Sequence, residues 1–157
     1  MIKHKAVLRY IFILLIALIV SHIITRFVHP VIVSGDSMNP TLKNGNIAIA
    51  SSFFKAEELK KGDIVVFDYE KMQMIKRIVA VAGDEVWIED GLLYVNGEKS
   101  QYQYDIIHDP GILEEPIIVP DNEFFCVGDN RNNSFDCRAI GTINYSQIKF
   151  KVLKKIP

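Results

Sequence analysis

Apolar and polar positions divide this chain into two unlike parts. From Ala6 to Thr25 it reads AVLRYIFILLIALIVSHIIT, and Ile11 to Val20 contains no polar residue. An amphipathic helix keeps a polar stripe for water; this run has none. It also reaches the roughly 20 residues needed to cross a hydrocarbon core. Arg9 and His22 stand near its ends, where long or amphipathic side chains reach the headgroups. The residues after it, Ser21 to Phe27, lack the small-x-small pattern of a cleavage site, and a cleaved leader has a shorter apolar core. The pattern predicts an uncleaved membrane-spanning helix over 6–26.

Beyond residue 30 the period falls to that of strands. Short apolar or alternating runs are separated by turn residues: PVIV from Pro30, Asn46 to Ala50, Asp63 to Phe67, and the longer QMIKRIVAVA from Gln73. EVWIEDGLLYVNGEK reads as a meander, because Asp90-Gly91 and Asn96-Gly97 favour the positive φ of two-residue hairpin turns. A looser stretch, Gln101 to Pro116, precedes the strands PIIVP, EFFCVGD and KFKVLKKI. The one helical candidate outside the apolar run is short, near Lys55 to Lys60. Lys149, Lys151, Lys154 and Lys155 read as a solvated strand edge that can touch anionic lipid. The expected fold is mainly β: a compact antiparallel sheet or barrel-like domain over 30–157, preceded by one transmembrane helix.

Charge orients the two parts. Lys3, Lys5 and Arg9 precede or open the span and only Arg26 closely follows it, which puts residues 1–5 in the cytoplasm and the β domain outside. Every Asp and Glu falls after residue 35, so the outer part is acidic overall, and a nucleic-acid partner is excluded for want of a basic face. The bilayer is the expected partner instead. No His, Cys and carboxylate cluster has metal spacing and no glycine-rich phosphate loop occurs, so no metal and no cofactor is expected. Cys126 and Cys137 make no disulfide framework; an outside location permits a bridge, although Cys126 in the apolar EFFCVG reads as a buried thiol.

The candidate chemistry lies in SGDSMNPTL, Ser34 to Leu42. A serine nucleophile needs a base, and the four histidines are poorly placed: His4 is cytoplasmic, His22 is in the span, His29 is at its exit and His108 is in the loosest loop. The strand around residue 76 offers another. Successive strand residues face opposite ways, so Met72, Met74, Lys76, Ile78 and Ala80 share a face on which Lys76 alone is charged. An amine in apolar company loses solvation of its ammonium form, and its pKa falls from the ordinary value of about 10.4. A neutral amine can then take the proton of a serine hydroxyl.

SGDSMNPTL resembles the serine box of the bacterial type I signal peptidases, membrane-anchored Ser-Lys endopeptidases. GDIVVF (Gly62 to Phe67), KRIVAVAGDEV (Lys76 to Val86) and GDNRNNSFDCRAIG (Gly128 to Gly141) are similar to that family's remaining boxes, in family order. The resemblance implies Ser37 as nucleophile and Lys76 as general base, with Ser134 hydrogen-bonded near the lysine and Asp136 and Arg138 as a bracing pair. It implies secretory preproteins as substrates, cut after small side chains. Shallow pockets near Met38 and Ile75 would accept those side chains, and Gly35 would let the substrate strand approach. Gly35 also stands where some members carry a second hydroxyl for the oxyanion. Two other readings remain: a self-cleaving Ser-Lys repressor, which would need a DNA-binding segment where this chain has a span, and an inactive membrane-tethered β-domain binding protein, which should have lost Ser37 or Lys76.

Overall fold

The apolar run passes into the β domain without a linker. In a computed structural model of the chain, which describes residues 2–156, helix α1 (Ile2–Phe27) is followed at once by strand β1 (Val28–Ile32). Met1 and Pro157, the outer ends of the expected cytoplasmic segment and β domain, lie outside the described residues. The stretch Val7–Phe27 reaches a mean hydropathy of 2.5 over an 18-residue window, and none of the described side chains there is buried against protein. Its exit is fixed by the Ser52 N–H donating to the Phe27 carbonyl at 3.0 Å and by Phe27 meeting Phe53 edge-on.

The remaining strands are β2 (Ile47–Ser51), β3 (Ile64–Tyr69), β4 (Met72–Val81), β5 (Glu85–Glu89), β6 (Leu92–Val95), β7 (Glu98–Lys99), β8 (Ile117–Ile118), β9 (Glu123–Val127), β10 (Ile143–Asn144) and β11 (Ile148–Lys155), with a one-turn helix α2 (Cys137–Ile140) before β10. They form a seven-stranded sheet in the order β1-β2-β11-β3-β4-β9-β10 and a four-stranded sheet in the order β7-β6-β5-β8, antiparallel throughout. The small sheet is the predicted meander: Asp90, Gly91, Asn96 and Gly97 all have positive φ, as two-residue hairpin turns require. Between the sheets lie Val65, Phe67, Ile78, Val79, Val86, Leu93 and Phe125, none more than 2% exposed.

Two expectations change. The segment near Lys55 is only a 3-10 turn, Ala56–Glu58. The lysine-rich last strand is not an edge: β11 lies between β2 and β3, near the middle of the large sheet. Its lysines are accommodated because that sheet face is open, and Lys151 and Lys149 reach Asp63 and Asp68 of the region leading into and along β3 at 2.7 and 3.4 Å.

What matters for the site is β4. From Met72 to Arg77 it pairs with β3, but its other side meets β9 only from Arg77 onward. Met72 to Lys76 therefore keep one free main-chain edge.

Candidate active site

The segment Val33 to Asn46 folds back on itself over that free edge. The Val33 N–H donates to the Asn46 carbonyl at 2.9 Å and the Gly45 N–H to the Val33 carbonyl at 2.8 Å, closing the loop at its base. Asn44 Oδ1 accepts from the Gly35 N–H at 3.0 Å. Gly35 has φ +87°, which a side chain would strain, although a Cβ there would meet nothing within 4 Å. Its need for glycine is thus the turn itself. Val33, Met38 and Leu42 pack beneath the loop against Ile64 and Ile75 and anchor it to the sheet.

This arrangement brings Ser37 to the lysine. Lys76 Nζ donates to Ser37 Oγ at 2.8 Å, across 39 residues of sequence. Lys76 is 4% exposed. Burial lowers its pKa, opposed mainly by the negative charge of Asp136. The first cause dominates because, among the described residues, no carboxylate is bonded to the amine and its hydrogen bond goes to the neutral hydroxyl. The serine is thus paired with an amine biased toward its neutral, proton-accepting form.

Beside the pair runs a groove of about 360 Å³. One wall is Val31, Ile32 and Ser34 to Ser37; the other is Met72 to Lys76, with Phe135 at the rim. Of the residues expected to meet substrate, Gly35 and Ile75 line it. Met38 does not: it is fully buried under the loop, where its side chain fills the space between turn and sheet.

A family model described as "Signal peptidase, peptidase S26" matches residues 5–153. The chain belongs to that family. It is 33% identical to signal peptidase I S of Bacillus subtilis over 93% of this chain and 86% of that one. It is likewise 33% identical to signal peptidase IB of Staphylococcus aureus, over 94% and 88%. A solved signal peptidase I from Enterococcus faecalis aligns with 62% of the chain and 97% of its own at 23% identity, with a TM-score of 0.48. The family model and the curated relatives make this a type I signal peptidase; its domain is mainly antiparallel β, and its apolar N-terminal helix fits a membrane-anchored enzyme.

Behind the Ser-Lys pair of this signal peptidase lies the segment between β9 and α2. Gly128 has no room for a side chain: a Cβ would come within 2.5 Å of the Ser37 carbonyl oxygen and closer still to Ser134 Oγ. The Asn130 N–H donates to that same Ser37 carbonyl at 3.0 Å, and Asn130 Nδ2 to the Asp36 carbonyl at 3.2 Å, so the segment holds the backbone at Ser37 directly. Asp136 and Arg138, which the resemblance gives as a bracing pair, are bonded to each other. Arg138 Nε and Nη2 donate to the two carboxylate oxygens at 2.9 and 3.0 Å, and Asp136 also accepts from the Gly128 N–H at 3.0 Å. Arg138 then reaches the carbonyls of Arg131 and Asp109. Ser134 is placed against Gly128 but in no hydrogen bond: its Oγ is buried without a partner among the described residues.

The sequence reasoning missed a second ion pair. Arg77, next to Lys76, donates to both oxygens of Asp129 at 2.8 and 2.6 Å, to the Gly62 carbonyl at 2.8 Å and to Thr41 Oγ1 at 3.3 Å. Its guanidinium lies 4.9 Å from the Tyr102 ring centre. Arg131, 1% exposed, donates to the carbonyls of Gly128 and Tyr102, and burial pushes its pKa down to about 10. Charges of this kind in a polar turn signal burial only when the turn is known to pack inward. The histidines stay apart from the serine, as expected: His29 packs on Phe150, and His108 is exposed in the long loop.

Proposed function

We propose that this signal peptidase cleaves preproteins with Ser37 as nucleophile and Lys76 as general base, through an acyl-enzyme. The observation that carries the reading is the 2.8 Å contact between Lys76 Nζ and Ser37 Oγ, made by an amine that is 4% exposed. Neutral Lys76 takes the hydroxyl proton as Ser37 Oγ attacks the scissile carbonyl. The backbone N–H of Ser37 serves the oxyanion; Gly35 has no hydroxyl to add. The tetrahedral intermediate collapses, Lys76 returns the proton to the leaving amine, and the mature protein departs. A water that gives its proton to Lys76 then hydrolyses the ester and frees the signal peptide.

The substrate would enter as an extended segment. Main-chain groups along Met72 to Lys76 are unpaired on the groove side and can be completed by an added strand. The apolar walls near Ile75 favour small uncharged side chains before the cut. Asp136 and Arg138 hold the segment that buttresses Ser37 and lie outside the proton path. Residues 1–5 would face the cytoplasm, 6–26 would span the bilayer and 30–157 would work outside, with the nucleophile 11 residues past Arg26 and so within roughly 40 Å of the membrane exit. Nothing in the geometry favours the alternative of an inactive tethered binding protein, since Ser37 and Lys76 are both present and in contact.

The test is preprotein cleavage in proteoliposomes by Ser37→Ala and Lys76→Ala. Both should fall to background while the folded protein keeps its melting temperature. Full activity in either variant ends the assignment. Protease added outside intact spheroplasts should digest the β domain; complete protection would reverse the topology.

A further inference from the structure

Cys126 and Cys137 take no part in the chemistry above, yet they lie together beside it. Cys126 is on β9, opposite Ile78 of β4, and Cys137 opens α2. Between them the chain leaves the sheet and returns, carrying Asp129, Arg131, Ser134 and Asp136. Both thiols are free and wholly buried. The Cys126 N–H donates to Cys137 Sγ at 3.2 Å, so the second sulfur rests against the backbone that bears the first. Burial, then the hydrogen bond to Cys137, pushes the Cys126 thiol well above its ordinary pKa. Cys137 Sγ thus lies against Cys126, and two thiols brought together in this way can be joined in an oxidising compartment without drawing distant elements together.

We propose that Cys126 and Cys137 are the site of an intrachain disulfide that closes the segment buttressing Ser37. The co-reactant is a disulfide donor, such as oxidised glutathione or a protein disulfide. One cysteine thiolate attacks the donor and releases one donor thiolate, leaving a mixed disulfide. The second cysteine thiolate attacks the protein sulfur of that bond and releases the other donor thiolate. The two protein thiols give up two electrons and two protons, and the donor becomes two thiols. Because both sulfurs are closed off in the folded chain, the exchange takes place while the segment is still open during folding. Its occurrence in the cell rests on the outer-face location proposed above; the chemistry itself does not.

The full chain, purified in detergent, is unfolded with reductant and refolded in a buffer rich in oxidised glutathione, then quenched with iodoacetamide under denaturing conditions for mass spectrometry. The expected product is lighter than the reduced chain by two hydrogen atoms, is not alkylated, and yields a peptide joining residues 126 and 137. It cleaves preprotein within about twofold of the reduced enzyme and melts about 5 °C higher. Cys137→Ser and Cys126→Ala, refolded alike, show no rise. Refolded, active wild-type chain with both thiols alkylated overturns the proposal, as does a cross-linked chain that melts lower or no longer cleaves. All readouts are made on purified protein, so the result is independent of which side of the membrane the domain occupies.

Discussion

Lys76 and Arg77 are neighbours on β4, equally buried at 4% and 7% exposure, and the protein treats their charges in opposite ways. On one face of the strand the amine meets a neutral hydroxyl, and burial lowers its pKa. On the other, burial works against the guanidinium too, but the hydrogen bond and charge of Asp129 overcome it and raise the pKa. Burial alone therefore does not decide a charge; the partner does. The Asp136–Arg138 pair belongs with the second face in kind. It keeps a carboxylate near Lys76 occupied by another cation, and the Arg138 charge counters the pull of Asp136 on the amine. A strand that reverses sides at each residue lets an amine bonded to a neutral hydroxyl and a structural ion pair sit next to each other in sequence without sharing an environment.

The sharpest break of this contrast is Lys76→Arg. It keeps a cation in place but removes the ability to lose the proton, since a guanidinium stays charged at any working pH. Cleavage should fall on the order of 10³-fold or more, within the range general bases supply, and raising the pH should not restore it. In the wild type, the rate should instead climb with pH through a pKa below that of a free lysine. A variant that regains activity at high pH would show that deprotonation at residue 76 is not the requirement.

Next comes Asp129→Asn, which gives Arg77 the electrostatic situation of Lys76 without a use for it. An uncompensated buried guanidinium costs about 3–5 kcal/mol, read as a fall in the denaturation midpoint. Arg77→Met with Asp129→Leu should recover most of that loss, because an apolar pair has no charge to desolvate. If the single variant melts like the wild type, the pair is not what holds this face.

Lys76→Met separates function from stability in the reverse sense. It should abolish cleavage yet stabilise the fold by about 1–2 kcal/mol, since the buried polar head is gone. The pH sign follows from the lowered pKa. Between the folded value and that of a free lysine, the unfolded chain binds more protons, so Lys76 makes wild-type stability rise with pH across that window. The advantage of Lys76→Met should thus be greatest at the low end and fade as the pH passes about 10.4. An advantage that grows with pH would mean the amine is stabilised as a cation.

The contrast also marks what a reader of the sequence alone can see. Lys76 is legible because period-two alternation puts it by itself among apolar neighbours. The hairpins at Asp90-Gly91 and Asn96-Gly97 are legible because the turn needs positive φ. Arg77 sits one residue away and is not legible as an anchor, since its partner lies 52 residues on and no local pattern announces a long-range pair. Met38 reads as a wall of a substrate pocket through the resemblance; in an irregular turn no period says which way a side chain points, and it points into the core. The lysines of β11 read as an edge because charge suggests water, but charge reports the face of a strand and says nothing about its neighbours in the sheet.

The smallest expected effect concerns Ser134, which the resemblance puts near the lysine and whose Oγ has no hydrogen bond among the described residues. A buried hydroxyl with no partner carries a desolvation cost and returns nothing for it. Ser134→Ala should therefore melt no lower than the wild type and gain up to about 1 kcal/mol, while cleavage stays within about threefold. The discriminating readout is the pH profile. If Ser134 oriented or solvated the amine, its removal would move the rising limb and cut kcat at unchanged KM. If the hydroxyl only fills space against Gly128, the limb stays where Lys76 and its burial put it, and the contrast between the two faces of β4 rests on the partners bonded there.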